Sequence, residues 1–204
     1  MRLLLVLLLA ALQTTAVRAA VLLDTGAATF SATGFQFGRL SRNGEASTWG
    51  SLKDFPGVIG APAARGYETF TINNGDRPFL QISLDDPAAG LFVAAYLDSF
   101  NPANIAPSYG LDINYLGDPG LSQPFGSPSF FQIQVPQYSQ IVIPINEVSP
   151  GRGAGLGFEL IVEGFYDSSY SEVPEPGSLT LLMAGAAAGA LRARARRRNR
   201  NMQI

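Results

Sequence analysis

The side chains most often used for catalysis are missing here. The 204 residues hold no histidine and no cysteine, which removes the usual zinc ligand sets, a Ser-His-Asp triad and any thiolate nucleophile. Carboxylates remain. Asp85, Asp86, Asp98, Asp112 and Asp118 fall in or beside turn-rich stretches, where oxygen ligands for Ca²⁺ are expected, and Asp112, Asn114 and Asp118 are the densest set. No twelve-residue EF-hand pattern or Gly-Asp repeat accompanies them, and turn-forming Asp on an acidic surface is the simpler reading. Glu147, Glu159 and Glu163 are candidates for a hydrolytic carboxylate pair. Glu159 and Glu163 share one strand face, but a spacing of four residues sets them roughly 13 Å apart, beyond the ~5–9.5 Å of glycosidase pairs. The chain therefore reads as a non-enzyme, with no cofactor apart from that one weak Ca²⁺ site.

Aromatic rings offer a different chemistry. Trp49, Tyr96, Phe100, Tyr109, Tyr115 and Phe125 read as near or within loops, where rings stack on sugar faces; packing inside the domain is the competing role. Gly151, Gly153, Gly155 and Gly157 alternate in a dinucleotide-like rhythm. No βαβ pattern surrounds them, so a β-hairpin loop is the better reading than a phosphate cradle.

The elements that must position these residues are short strands. Charged residues are sparse at 15%, while 22 Gly and 14 Pro supply turns. Apolar and β-branched runs stand at residues 67–72, 79–84, 91–97, 130–135, 140–145 and 157–162, with a weaker pair at 28–30 and 34–40. Phe131, Ile133 and Val135 alternate with Gln132 and Gln134, as a half-buried strand requires. Residues 140–145 are apolar almost throughout and predict cover on both faces, with Pro144 needing an edge or a bulge. The spacing predicts an all-β antiparallel sandwich of the jelly-roll type, flanked by an N-terminal signal helix and a short C-terminal apolar helix.

Net charge divides the chain into three. Residues 1–20 carry +2, residues 21–172 carry -9 and residues 173–204 carry +5, which together give the net -2. A basic start, an apolar run Leu3–Leu12 and small residues at Val17 and Ala19 describe a secretory signal peptide, residues 1–19, cut after Ala19. At the other end Pro174-Glu175-Pro176 precede an apolar stretch Leu179–Leu191 and the arginines Arg192, Arg194, Arg196, Arg197, Arg198 and Arg200. Thirteen apolar residues make a marginal span, and the arginines hold it at the cytoplasmic face. Residues 173–200 closely resemble the PEP-CTERM sorting domain of exported bacterial proteins: tripeptide, apolar helix and basic end in that order. The resemblance implies processing by an exosortase-type enzyme near the tripeptide and a transient stay in the inner membrane. The helix departs mildly from that pattern, being richer in alanine than leucine.

Between the ends lies the exported domain, residues 20–172. Its blocks Gly38–Gly44, Tyr67–Thr71, Leu91–Leu97, Phe100–Ile105, Tyr115–Gly120, Glu147–Gly153 and Phe158–Gly164 resemble the pre-peptidase C-terminal-like (PPC-like) β-sandwich of bacterial surface proteins, over roughly residues 38–164. Relatives often carry cysteines in the loop at Ser47–Pro56, which here holds Trp49 instead. The resemblance implies a non-catalytic accessory module without a defined ligand. The expectation is thus a cell-surface or extracellular protein associated with polymer or biofilm matrix. The alternative is an exopolysaccharide-binding module using Trp49, Tyr96, Tyr109 and Tyr115, and a hydrolase is a distant third. An acidic domain of -9 argues against nucleic acid as a partner.

Overall fold

The computed structural model describes residues 19–122 and 129–168, which lie in one compact unit, Val17–Ser168. Residues 1–18 of the signal segment, Phe125, the sorting tripeptide, the apolar stretch and the arginines lie outside the described residues.

Eleven strands form: β1 (Ala20–Asp24), β2 (Ala28–Thr29), β3 (Gly34–Leu40), β4 (Val58–Asn73), β5 (Phe79–Asp85), β6 (Leu91–Val93), β7 (Ala95–Leu97), β8 (Tyr115–Gly117), β9 (Ser129–Gln134), β10 (Gln140–Glu147) and β11 (Gly157–Phe165). They make two sheets. The first runs β1-β11-β5-β9, with β2 also on β11; the second runs β3-β4-β10-β7-β8, with β6 also on β10. Every strand pairing among the described residues is antiparallel. No helix among the described residues is long and apolar enough to cross a membrane.

Alternation decides which face each sheet buries. Leu80, Ile82 and Leu84 of β5, Phe131 and Ile133 of β9 and Leu160 and Val162 of β11 meet Ile72, Val93, Ala95, Ile141, Ile143 and Ile145 of the second sheet in one core. Each buried side chain of this size contributes ~1.5–3 kcal/mol. On β4, Thr69 and Thr71 point outward and Ile72 inward, as the sequence alternation requires.

The second sheet is covered on its other face as well. Leu40, Phe92, Ala94, Tyr96 and Leu111 form a separate cluster with Phe55, Phe100 and Tyr115 packed against it. Two loops supply this outer layer, 41–57 and 98–114. That is why β10 is apolar from Ile141 to Ile145 and buried from Ile141 to Glu147.

Pro144 corrects an expectation, for it lies in this interior strand, paired with Thr69 of β4. On the other side the register continues from Val93↔Ile145 to Tyr96↔Val142, which sets Ala94 opposite Pro144. Ala94 N–H donates to the Pro144 carbonyl at 3.2 Å. The reciprocal bond cannot form because proline has no N–H. The ladder therefore lapses for one residue, and β6 and β7 read as two short strands.

Candidate functional site

The Ca²⁺ candidates are not brought together. Asp118 is wholly buried. Its Oδ1 accepts from Lys53 Nζ at 2.6 Å and from the Gly120 N–H at 2.6 Å, and its Oδ2 accepts from the Tyr115 hydroxyl at 2.5 Å. Lys53 is nearly as buried, so the two charges are removed from water together. Asp112 and Asn114 instead stand exposed in the loop before β8, and Asn114 Nδ2 donates to Ser99 Oγ at 3.1 Å. Among the described residues no group of three or more acidic side chains is arranged to hold a metal ion. The Asp118 carboxylate acts as a clasp that ties loop 41–57 to β8.

The loop aromatics belong mostly to the outer layer. Tyr96 is 1% exposed, its hydroxyl donates to the Leu111 carbonyl at 3.0 Å, and its ring is closed in by Phe100 at 4.8 Å and Tyr115 at 5.9 Å. This corrects the expectation that Tyr96 offers a ring to a sugar: both faces are already in contact with protein. Tyr115 continues the stack to Phe55 at 5.7 Å. Burial, with the nearby Asp118 charge, pushes both phenols well above their ordinary range, so they stay neutral. Tyr109 is half-buried, 6.4 Å from Phe37.

Trp49 stands elsewhere, on the outer face of the first sheet. It packs edge-on against Phe79 at 5.8 Å and Phe165 at 5.2 Å, and its indole N–H donates to the Leu80 carbonyl at 3.1 Å. It remains partly exposed. Beside it a polar row crosses three strands in register: Glu163 of β11, Gln81 of β5 and Gln132 of β9. Gln132 Nε2 donates to Gln81 Oε1 at 3.1 Å, and Gln132 Oε1 accepts the Trp49 backbone N–H at 3.4 Å. Phe130, two residues along β9 on the same face, is 55% exposed. Sequence reading passed over this surface because its residues are scattered over three strands, and only the register joins them.

The carboxylates considered for hydrolysis have separate environments. Glu159 faces Asp85 across the β11–β5 ladder and Glu163 faces Gln81. Asp85 and Glu159 line a surface cavity of about 460 Å³ with Ala27, Ala28, Pro87 and Phe158. Glu147 is buried, and the glycine-rich segment explains how. Glu147 Oε1 accepts the N–H groups of Gly66 and Gly151 at 2.8 Å each, and Oε2 accepts that of Gly153 at 2.9 Å. Burial alone would raise this carboxyl; backbone N–H donors from Gly66, Gly151, Gly153 and Arg152 outweigh it and hold it below the usual range. Residues 151–153 do cradle an anion, and the anion is the chain's own side chain. Arg65, close by, gives its guanidinium to the carbonyls of Val148, Gly60 and Ala63.

Comparison with known proteins bears on the other end of the chain. No curated protein and no solved structure matches it. Residues 172–198 match the PEP-CTERM protein-sorting motif. That match begins four positions after Ser168 and takes in Pro174, Glu175 and Pro176 together with Arg192, Arg194, Arg196, Arg197 and Arg198. The motif marks an exported, surface-sorted protein that is processed by an exosortase-type enzyme.

Proposed function

We propose that the chain is a non-catalytic β-sandwich protein of the cell surface or extracellular matrix, held briefly at the inner membrane and released by cleavage near Pro174-Glu175-Pro176. The observation that carries this reading is the position of the sorting motif, which starts at residue 172, just past a folded domain whose residues 19–168 carry a net charge of -8. A folded, acidic, self-contained domain is suited to an aqueous exterior rich in polymer. The likeness of residues 38–164 to the PPC-like sandwich is in keeping with two antiparallel sheets around one core. A jelly-roll reading is supported by the alternation of strands between sheets, since β8 and β10 lie in the second and β9 and β11 in the first.

Processing is tested in cells that contain the exosortase, by comparing the whole chain with a deletion of residues 173–204 and with Pro174→Ala/Pro176→Ala. The whole chain should appear as a shortened, released product. The double substitution should leave the longer form in the membrane fraction, and the deletion should leave that fraction altogether. A truncated chain that stays with membranes, or a double variant processed like the parent, would overturn the reading.

A polysaccharide-binding role has one favourable observation, and it moves the site from the loops to a sheet. Phe130 and the open side of Trp49 flank the Glu163–Gln81–Gln132 row, which combines ring faces with planar hydrogen-bonding groups. Retention on polysaccharide from the producing cell should fall in Phe130→Ala and Gln132→Ala and be unaffected by Tyr96→Phe. Equal retention in all three would remove this reading.

A further inference from the structure

Both ends of the sandwich come out at the same place. The β1–β11 pairing sets Ala20 opposite Gly164, and Phe165 lies opposite Phe79, which lies opposite Gln134. In the second sheet Asn73 pairs with Gln140. The start of β1, the end of β11 and the two turns 74–78 and 135–139 therefore share one end of the domain. Residues 1–19 precede that end and the sorting segment follows it.

This end is closely knit. Asn74 donates its side-chain amide to the carbonyls of Arg77 and Pro136, and its Oδ1 accepts the Ser139 N–H. The Gly75 carbonyl accepts the Tyr138 N–H, and Gln137 reaches the Asp76 carbonyl. On this frame two aromatic side chains are left in solvent. Tyr138 is 72% exposed and held at a φ of 61°, a left-handed conformation that bulky residues avoid. Tyr166 is 52% exposed; the Arg77 guanidinium, which pairs with Asp76 Oδ1 at 3.2 Å, lies 3.6 Å from its ring centroid, and the Tyr166 hydroxyl donates to Asp76 Oδ2.

We infer that this end is a membrane-docking surface, on which Tyr138 and Tyr166 rest in the headgroup region of the bilayer while the chain is held by its C-terminal segment. The inference rests on the proposed membrane stay. Its occupant follows from connectivity: Leu179, the first residue of the apolar run, is eleven residues after Ser168. Fully extended, that stretch reaches at most about 40 Å. The end from which it leaves is thus the part of the domain kept nearest the bilayer. Tyrosine, apolar along its ring and polar at its tip, is the side chain enriched at that depth. Docking would aim the opposite end outward, where the 86–90 and 148–156 loops and the Asp85–Glu159 cavity lie.

The absence of cysteine makes a direct test simple. The whole chain, carrying Gln137→Cys at this end or Ala154→Cys at the opposite end, is labelled with an environment-sensitive dye and reconstituted into phosphatidylethanolamine/phosphatidylglycerol vesicles. The label at 137 should shift to the blue and be quenched several-fold more by headgroup nitroxides than the label at 154. Adding Tyr138→Asn, which tolerates the left-handed φ, and Tyr166→Ser should abolish that difference while the protein still floats with the vesicles. Flotation with equal quenching at the two sites overturns the docking surface alone. Loss of flotation in the parent chain overturns both the docking surface and the membrane stay beneath it.

Discussion

Glu147→Gln is the sharpest probe of the domain's construction. The carboxylate accepts Gly66 and Gly151 on one oxygen and Gly153 on the other. With the amide oxygen kept at the first position, two bonds survive but lose their charge, at about 0.5–1 kcal/mol each. The new NH₂ then faces the Gly153 N–H, leaving a buried donor unmatched at about 1–3 kcal/mol. Turning the amide round orphans two donors instead of one. The expected loss is about 3 kcal/mol, which for a domain of this size lowers Tm by about 6–12 °C. The sign with pH is fixed by the direction of the shift. Because Glu147 sits below the usual carboxylate range of about 4.5, its contribution is complete above that value and lost as pH falls through the folded pKa. Urea unfolding of residues 20–172, parent against variant, from pH 7 to pH 3 should show a constant gap that closes only in acid. A gap below about 0.5 kcal/mol at pH 7, or one that widens in acid, would refute the cradle argument.

Other outcomes can be stated more briefly. Lys53→Met should destabilise the domain by about 3–5 kcal/mol, read by urea unfolding, since it strands the buried Asp118 charge. Tyr96→Phe should cost about 1–1.5 kcal/mol by orphaning the Leu111 carbonyl, with no new exposure of the ring. Tyr138→Gly should raise stability by up to about 1 kcal/mol, because glycine adopts the left-handed φ without penalty. Thermal melts in millimolar Ca²⁺ and in chelator should coincide, given that Asp118 is already saturated by Lys53, Tyr115 and Gly120.

How much of this was legible beforehand varies with the range of the interactions involved. Strands β5, β9, β10 and β11 were readable because each carries its own pattern, alternating or continuous, within six to nine residues. The first half of β4 was not, since Val58–Gly66 is rich in Gly, Ala and Pro and is extended only through pairing with β3. Likewise β1 has no turn signal before it, and its pairing with β11 spans most of the chain. The aromatic loops misled for a physical reason. Sequence shows that Tyr96 and Tyr115 adjoin turns, but the 98–114 loop folds back over the sheet and makes those rings an outer core. Asp118 illustrates the same limit: its turn chemistry is local, while its burial depends on Lys53, sixty-five residues earlier. The sorting segment was the most legible part of all, because its meaning lies in order and composition and needs no fold.

One detail of connectivity has a mechanical side. The sorting segment follows β11, and β11 is an inner strand, flanked over its last half by β5 on one side and β1 on the other. Tension on the tail therefore loads two hydrogen-bonded ladders in shear, along the strand axis, instead of peeling an edge strand one bond at a time. A domain so attached is expected to resist a pull on that segment without beginning to unravel where it leaves the fold.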